Sequence, residues 1–330
     1  MNLMDSIFEK AKKAARKVAF PEATEEKILK AAAACVESGI CIPVLVGSSD
    51  EIKKAAEEYG VCTDGIGIID CTDSAWLEAL IERYVLIHPE NSAKTMKRKA
   101  KDPLYTALML EAVGEVDCTF AGMSHTTGEV ALAGQMVIGL QEGVKAVSSM
   151  GVFDIPGYEG CEGQLLGFGD SALCTCPSEE DLADIAIAAC GTAQRLLGWE
   201  PRCALLSFST DGSAEHEMVE KIRRAVAIAH EKRPELMIDG EFQLDAAINP
   251  KVAAKKVKRP SPVAGKANII IWPDLNVGNI GVKLVQQFAG ADAYGPLLQG
   301  FAMPVSDCSR SAPISELLGN IAMTAVMAGE

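Results

Sequence analysis

Short apolar segments alternate with helix-length segments through the first part of the chain, and this alternation limits the possible folds more than any other feature. The apolar segments are Lys17–Phe20, Ile42–Val46 and Gly67–Asp70. Between them lie Glu25–Ser38 and Ser49–Tyr59, which have the apolar spacing of helices. Strands that alternate with helices in this way predict a parallel sheet covered on both faces. With 330 residues and 48% hydrophobic content, the chain can form two domains or one large one.

The charge balance and the cysteines exclude several classes of function. A net charge of −14 argues against a nucleic-acid partner, which requires a concentrated basic face. Basic residues cluster at 94–101 and 251–259, and we interpret both clusters as solvated surface, with a basic rim that attracts an anionic substrate as the alternative. No apolar run reaches the roughly 18–20 residues of a membrane span. Eleven scattered cysteines are typical of reduced thiols in a cytosolic protein, so we expect a cytoplasmic protein with no membrane contact.

The segment Ser261–Arg310 predicts half of an active site. It contains an apolar run, Ala267–Trp272, then a loop with Gly278 and Gly281, then a helical pattern over Val282–Phe288. Free backbone N–H groups at a strand–loop–helix turn suit a phosphate-bearing ligand. We therefore expect this segment to bind phosphate and a phosphorylated carrier.

A second turn of the same kind follows the predicted strand Val116–Ala121. Polar side chains precede the helical run that begins at Glu129, and they are Ser124, His125, Thr126 and Thr127. Hydroxyl and N–H groups at this turn are suited to bind an anion. N-capping of the helix by Thr126 or Thr127 is an alternative of equal weight. His125 could act as a base, although the sequence supplies no nucleophile for it.

Five motifs, spread over nearly the whole chain, resemble those of the phosphate acetyltransferase (phosphotransacetylase) family, including its ethanolamine-utilisation members. They are FPEATEEKILKAA at Phe20–Ala32, LSFSTDGSA at Leu206–Ala214, IDGEFQLDAA at Ile238–Ala247, SPVAGKANIIIWPDLNVGNIG at Ser261–Gly281 and AYGPLLQG at Ala293–Gly300. The resemblance implies two α/β/α three-layer domains with a mainly parallel sheet, like those of isocitrate and isopropylmalate dehydrogenases. Domain I would comprise residues 1–147 and 296–330, domain II would comprise residues 148–295, and the active-site cleft would lie between them.

The resemblance also implies an activity. This activity is the reversible transfer of an acetyl or other short acyl group between coenzyme A and inorganic phosphate, by direct attack in a ternary complex. Coenzyme A, acyl phosphate and phosphate would be the ligands, with no metal and no permanently bound cofactor. A homodimer in the cytoplasm is expected, either free or inside a bacterial microcompartment.

Individual roles follow from matching the family's motifs. Ser309 would donate a hydrogen bond to the transition state, Arg310 would bind phosphate, and Glu316 stands where the family has an aspartate as the proposed thiol base. A planar guanidinium makes a two-point contact that matches phosphate, which makes Arg310 the strongest of these assignments. The residues expected to bind phosphate or coenzyme A are Ser124, Thr126, Thr127, Asn279, Gly281, Tyr294, Gly295 and Gln299.

The chain departs from the family's pattern at a few positions. Leu132 replaces an arginine, Ser311 and Ala312 replace Gly-Cys, and Cys174 stands where an asparagine is common. Two hypotheses follow: an active phosphotransacylase with a remodelled acyl or phosphate pocket, and a catalytically impaired homologue that binds coenzyme A or a protein partner in a regulatory or structural role. A dehydrogenase is disfavoured because no strand is followed by a GxGxxG loop. We favour the first hypothesis because the motifs in residues 206–310 are nearly complete.

Overall fold

The computed structural model describes residues 3–328, which form two compact units. Unit 1 comprises residues 3–141 and 301–328, and unit 2 comprises residues 142–300. Residues 142–147 and 296–300, which the prediction assigned to domain I, belong to unit 2. Within residues 3–328, no helix combines the length and the apolar character needed to cross a membrane.

The helices and strands alternate along most of the chain. In chain order they are α1 (Leu3–Ala14), β1 (Lys17–Phe20), α2 (Glu26–Ser38), β2 (Ile42–Gly47), α3 (Ser49–Tyr59), β3 (Gly67–Asp70), α4 (Ser74–Ile87), α5 (Ala93–Lys99), α6 (Pro103–Ala112), β4 (Cys118–Phe120), α7 (Thr127–Val137), β5 (Ser148–Asp154), β6 (Leu165–Gly169), α8 (Glu179–Thr192) with a π-helical turn at Ala193–Leu197, β7 (Arg202–Leu206), α9 (Glu217–Lys232), β8 (Met237–Phe242), α10 (Leu244–Ile248), α11 (Pro250–Lys256), β9 (Ile269–Ile271), α12 (Leu275–Ala289), β10 (Asp292–Gln299), β11 (Val305–Ser306) and α13 (Ile314–Met327).

Unit 1 is built on five parallel strands in the order β3-β2-β1-β4-β11. Helix α6 packs on β1, β2 and β4, while α2 packs on β2 and α13 packs on β1, β4 and β11. The strands are therefore enclosed by helices, and Val18, Ala19 and Phe20 of β1 are fully buried. This is the helix-covered parallel sheet that the alternating sequence pattern predicts.

Unit 2 contains six strands in the order β10-β5-β6-β9-β7-β8. The pairs β10–β5 and β5–β6 are antiparallel, and the other neighbours are parallel. Helix α8 packs on five of these strands. A separate apolar cluster is centred on Phe168 and Trp272, whose rings stack with centroids 5.2 Å apart.

Helix α12 corrects the expectation of a glycine-bearing phosphate loop after Trp272. The helix begins at Leu275, where the Asp274 side chain caps it by accepting a hydrogen bond from the N–H of Val277 (3.1 Å). Gly278 and Gly281 therefore lie inside the helix. A Cβ atom at Gly278 would come 2.4 Å from the carbonyl oxygen of Asp170, and one at Gly281 would come 2.9 Å from the Trp272 ring. These glycines allow the helix to approach its neighbours closely.

Candidate active site

Polar loops follow three neighbouring strands of unit 1 at one edge of the sheet. The strands β1, β4 and β11 are adjacent and parallel, and the chain order reverses between β1 and β4. Open α/β sheets bind ligands outside the carboxyl ends of their strands at such a reversal. The loops here are residues 21–25, 121–126 and 307–313. We call the last of them the SR loop because it contains Ser309 and Arg310.

The SR loop is tied to its neighbours by two cations. The Lys27 ammonium, in the first turn of α2, donates hydrogen bonds to the carbonyl oxygens of Arg310 (3.0 Å) and Ala312 (2.8 Å). The Arg310 guanidinium donates to the carbonyl oxygen of Ser124 (3.2 Å). Both Ser309 and Arg310 are exposed. The structure therefore fixes the backbone of this loop while leaving its two key side chains open to solvent.

The carboxylate of Glu22 occupies the donors of the loop after β4. It is buried and accepts hydrogen bonds from the N–H groups of Met123 (2.6 Å), Ser124 (2.8 Å) and His125 (2.8 Å), and from the Ser124 hydroxyl (3.1 Å). Burial alone would raise the pKa of Glu22, but these hydrogen bonds and one from the His125 ring lower it to about 2. The anion at this turn is therefore part of the protein itself.

The ring of His125 lies between two carboxylates. Its Nδ1 lies 2.8 Å from Glu22 Oε1 and its Nε2 lies 3.2 Å from Asp102 Oδ2. Hydrogen bonds to Asp102 and Glu22 raise the pKa of His125 to about 10. A ring that faces a carboxylate at each nitrogen is held in its protonated form, which does not favour a role for His125 as a base at neutral pH.

The two threonines before α7 have different partners. Thr126 caps the helix, since its hydroxyl accepts from the N–H of Glu129 (3.3 Å) while the Glu129 carboxylate accepts from the N–H of Thr126 (2.7 Å). This reciprocal pair is a capping box, so the capping alternative is confirmed for Thr126. The Thr127 hydroxyl donates to the carboxylate of Asp307 (2.5 Å), a buried residue of the SR loop. Burial raises the pKa of Asp307 to about 6.

Glu316 lies in the first turn of α13, directly after the SR loop, and is half-buried. Burial and the nearby carboxylates of Asp307, Glu22 and Glu316 raise the pKa of the Cys308 thiol. Glu316 is therefore within electrostatic reach of the residue that precedes Ser309.

The remaining predicted residues belong to unit 2, where their contacts are mostly structural. Asn279 donates from Nδ2 to the carbonyl oxygen of Ser171 (3.1 Å) and accepts from Lys283 (2.8 Å). Gln299 is buried, and its amide donates to the Thr192 hydroxyl (2.6 Å). These contacts differ from the predicted ligand-binding roles: Gln299 connects β10 to α8, and Gly281, as described above, packs on Trp272.

Tyr294 and Gly295 lie together in β10. Tyr294 is half-buried, and burial followed by the charges of Asp292 and Asp154 raises its pKa. Gly295 has a φ of 118°, which L side chains rarely adopt. Within residues 3–328, no group of three or more His, Cys, Asp or Glu side chains is arranged to hold a metal ion.

Comparisons with known proteins decide the family. The phosphate acetyl/butaryl transferase family profile matches residues 2–325. A phosphate acetyltransferase from Clostridium acetobutylicum is 41% identical over 330 residues, which cover 99% of this chain and 99% of the relative. The chain belongs to the phosphate acetyl/butaryl transferase family.

Solved structures agree with this membership. A phosphotransacetylase from Streptococcus pyogenes has a TM-score of 0.91 at 31% identity and covers 99% of this chain and 98% of its own. The EutD phosphotransacetylase from Staphylococcus aureus has a TM-score of 0.86 at 30% identity, with coverage of 98% and 99%. The family and the mainly parallel α/β fold predicted from the sequence are both confirmed.

Most of the residues that support the SR loop and the loop after β4 were not among those predicted from the sequence. Lys27, Glu22, Asp102 and Asp307 were not predicted to contribute to the site. Two of them, Glu22 and Lys27, lie in the motif FPEATEEK that carries part of the family resemblance. A carboxylate two residues after the end of a buried strand is the signal that could have identified Glu22, because such a residue lies at the carboxyl edge of the sheet.

Proposed function

We propose that this protein catalyses the reversible transfer of an acetyl or other short acyl group between coenzyme A and inorganic phosphate, by direct attack in a ternary complex. One observation carries the proposal. In a member of this family, Ser309 and Arg310 stand exposed on a loop whose backbone is fixed by Lys27 and by the contact to Ser124. Relatives that are about as long as this chain are named phosphate acetyltransferases.

The reaction assigns one task to each of three side chains. In the direction of thioester formation, the coenzyme A thiol gives its proton to Glu316 and the thiolate attacks the carbonyl carbon of the acyl phosphate. The Ser309 hydroxyl donates to the oxyanion that develops on the carbonyl oxygen. The carbon–oxygen bond to phosphate then breaks, and Arg310 holds the departing phosphate through a two-point contact.

The internal role of Glu22 limits where phosphate can bind. The N–H groups at Met123, Ser124 and His125 already donate to this carboxylate, so they are not available to a ligand. The exposed donors nearby are the Arg310 guanidinium and the hydroxyls of Ser309 and Ser311, which lie 2.9 Å apart. We therefore assign phosphate binding to the SR loop and a supporting role to the loop after β4.

A direct assay tests the function. Purified protein is mixed with coenzyme A and acetyl-, propionyl- or butyryl-phosphate, and thioester absorbance is followed. Turnover is expected with at least one acyl phosphate, and Arg310→Ala should abolish it with an unchanged circular dichroism spectrum. Arg224→Ala is the matched control, since Arg224 is a surface arginine of α9 paired with Glu179. If no acyl phosphate reacts but calorimetry detects coenzyme A binding, the impaired homologue is the correct alternative.

We also propose a homodimer that works in the cytoplasm, free or within a microcompartment. All eleven cysteines lie in the described part of the chain and are free, which is consistent with a reducing compartment. Helix α12 exposes an apolar stripe on one face, a feature that often marks an interaction site. The stripe consists of Val277, Ile280, Leu284 and Phe288.

Light scattering after gel filtration tests the oligomeric state. The protein should elute as a dimer, and Phe288→Glu should shift it to monomer because Phe288 is 86% exposed in the stripe. Leu86→Glu, at the equally exposed end of α4, should leave the dimer intact. A dimer unaffected by Phe288→Glu would place the interface elsewhere, and a monomeric wild type would refute the dimer.

A further inference from the structure

A basic surface cavity on helix α5 lies outside the site described above. The cavity has a volume of about 340 Å³, and Thr95 contributes to its lining. Its other lining residues are cationic, and we call them the α5 cluster: Lys94, Lys97, Arg98 and Lys101. We propose that the α5 cluster binds a small molecule that carries two or more phosphate groups. This inference goes beyond the proposed function and does not depend on it, because it concerns binding alone.

The spacing of the α5 cluster places its charges side by side. Residues three, four and seven positions apart share one face of an α-helix. Counted from Lys94, the residues at this spacing are Lys97, Arg98 and Lys101, and all are exposed. Lys99 lies between them in sequence but contacts a different neighbour, since its ammonium donates to the Tyr105 hydroxyl (3.0 Å). The cavity is therefore lined by the basic residues of one helix face.

Helix stability does not account for this arrangement. Like charges three or four positions apart destabilise a helix, and every member of the α5 cluster has such neighbours. Lys97 and Arg98 do complement the helix dipole, because they lie in the last turn of α5. Lys94 opposes the dipole, because it lies in the first turn, which contains no acidic residue. A bound anion would relieve both the repulsion and the unfavourable position of Lys94.

Most of the α5 cluster has no carboxylate to neutralise it. Lys97 pairs with Glu78. Within residues 3–328, no carboxylate forms an ion pair with the other three members, Lys94, Arg98 and Lys101. On a protein with a net charge of −14, this face is a local region of positive potential that attracts anions.

The second basic segment, residues 251–259, provides a contrast. Arg259 pairs with Asp211 and Asp239, so its charge is neutralised within the protein. Lys256 pairs with Asp245 in the same way. Of the two basic segments that the sequence shows, residues 94–101 are therefore the better candidate for an external anion.

Charge and volume indicate the class of ligand. One phosphate group carries a charge of about −1.5 to −2 at neutral pH, which is too little to neutralise the three unpaired cations. Two or more phosphate groups match them. A volume of about 340 Å³ lies at the lower end of the range of small-molecule sites, roughly 300–1,000 Å³. Lysine binds phosphate as a point charge and arginine binds it through a two-point contact, so the cluster offers both modes.

The α5 cluster is connected to the candidate active site through Asp102. This residue follows Lys101, and its carboxylate lies 3.2 Å from Nε2 of His125. His125 belongs to the loop after β4, where the Ser124 carbonyl oxygen accepts from Arg310 (3.2 Å). Two ligands share the required chemistry: the nucleotide end of coenzyme A, with its diphosphate and its ribose phosphate, and a free nucleotide such as ADP.

Isothermal titration calorimetry with ADP at physiological ionic strength tests the proposal. The triple variant Lys94→Ala/Arg98→Ala/Lys101→Ala removes the unpaired cations of the cluster. Each exposed ion pair contributes about twofold to fivefold to binding, so this variant should weaken ADP binding by about tenfold to a hundredfold. Lys101→Ala alone, beyond the last residue of α5, should weaken it by about twofold to fivefold and leaves the helix untouched. Inorganic phosphate should bind the wild type at least about tenfold more weakly than ADP.

The matched control removes three exposed lysines at the same spacing in the second basic segment. It is Lys251→Ala/Lys255→Ala/Lys258→Ala, and its net charge equals that of the first triple variant. Charges more than about 8 Å from the ligand are screened at this ionic strength, so the control should weaken ADP binding by less than about twofold. Unfolding midpoints should stay equal or rise in the first triple variant, because alanine favours helix and the repulsion is gone.

Titration of ADP into protein saturated with coenzyme A identifies the source of the ligand. If the nucleotide end of coenzyme A occupies the α5 cluster, ADP binding disappears and the first triple variant weakens coenzyme A binding as well. If the cluster serves a free nucleotide, ADP binds with unchanged affinity.

Three results would overturn the proposal: no binding of ADP to the wild type, an ADP affinity that the first triple variant does not change, or equal losses in the two triple variants. Inorganic phosphate that binds as tightly as ADP would overturn the requirement for two or more phosphate groups. Calorimetry does not need turnover, so a protein that is inactive with every acyl phosphate but binds ADP at the α5 cluster would refute the proposed function and support this inference.

Discussion

Replacing Glu22 by glutamine tests whether the buried carboxylate holds the loop after β4 together. The substitution keeps the shape of the side chain but removes its charge and turns one of its two oxygens into a donor. If the amide oxygen takes the place of Oε1, the amide nitrogen faces the N–H of Met123, which then has no acceptor. The ion pair with His125 is lost in either orientation.

The magnitude follows from the electrostatics of the folded protein. The pKa of Glu22 is about 2 in the folded state and 4.5 ordinarily. At about 1.4 kcal/mol per pKa unit, the charged form contributes about 3 kcal/mol to the free energy of unfolding at neutral pH. The raised pKa of His125 arises in part from the same hydrogen bond to Glu22, so it does not increase this 3 kcal/mol contribution. Glu22→Gln should therefore destabilise the protein by about 3 kcal/mol.

The stability that Glu22 and His125 contribute is lost at low pH for Glu22 and at high pH for His125. Glu22 has a lowered pKa, so its contribution is complete above pH 4.5 and is lost as the pH falls towards 2. His125 has a raised pKa, so its contribution is complete below pH 6.5 and is lost as the pH rises towards 10. The contribution of the pair should therefore be greatest between pH 4.5 and 6.5, and Glu22→Gln should flatten both slopes.

Urea unfolding followed by circular dichroism at pH 6 measures the loss, and NMR titration measures the pKa of His125. In Glu22→Gln this pKa should fall but stay above 6.5, because Asp102 still accepts from the ring. The control is Glu26→Gln, which removes an exposed carboxylate paired with Lys30 on α2 and should cost less than about 1 kcal/mol. Equal losses in the two variants, or an unchanged His125 pKa, would refute the reasoning.

Three further predictions concern single residues. Lys27→Met should lower kcat by about tenfold to a hundredfold, because the SR loop loses the hydrogen bonds from the ammonium group to its carbonyl oxygens. Lys27→Arg should retain most of the activity. Similar kcat values in the two variants would contradict a role of Lys27 in holding the SR loop. Asp307→Asn should raise the free energy of unfolding at pH 8 by up to about 3 kcal/mol but should leave it unchanged at pH 4. The pKa of Asp307 is raised to about 6, so ionisation of this carboxylate destabilises the folded protein as the pH rises from 3.8 to 6, and asparagine removes that effect. Urea unfolding at the two pH values tests this. Gly278→Ala should lower the free energy of unfolding by about 1–3 kcal/mol, because the new methyl group would come too close to the Asp170 carbonyl. Gly128→Ala, with open space around it, should be neutral or should raise the free energy of unfolding by up to about 1 kcal/mol. Equal unfolding midpoints for the two variants would contradict both expectations.

Local signals predicted the elements of the first unit well. Helix α3 and strand β3 lie at the residues that the sequence indicated, Ser49–Tyr59 and Gly67–Asp70. The helix has its own start and stop, since the Ser48 hydroxyl accepts from the N–H of Glu51 and Gly60 ends it in a left-handed conformation. Such boundaries depend on neighbouring residues alone, so apolar periodicity suffices to find the helix, although its cap is Ser48 and not Ser49 or Asp50, where the sequence pattern predicted it.

Tertiary packing explains why α12 was predicted too short. Glycine disfavours helix by about 1 kcal/mol per residue, and two glycines in four positions indicated a loop. In the folded protein Gly278 and Gly281 are where the helix meets Trp272. Close packing outweighs the local preference, and nothing in the local sequence reports it.

The supporting residues of the site were hidden by their separation in sequence. Lys27 and Arg310 are 283 positions apart, and Glu22 and Ser124 are 102 positions apart. Spacing along the chain could not join them, because the strand order that brings their loops together became known only from the fold. Family resemblance found Ser309 and Arg310 because their short motif needs no such information.

The contact between Lys27 and the SR loop has a consequence for how the protein is made on the ribosome. Strand β4 cannot pair with β11, and α2 cannot contact the SR loop, until the ribosome has translated past residue 300. Unit 2, by contrast, is continuous in sequence and can be completed earlier during synthesis. The nascent chain therefore carries an open edge at β4, a surface prone to pairing with other strands, for the time needed to translate all of unit 2. The candidate site, which needs the SR loop, can therefore form only after all of unit 2 has been synthesised.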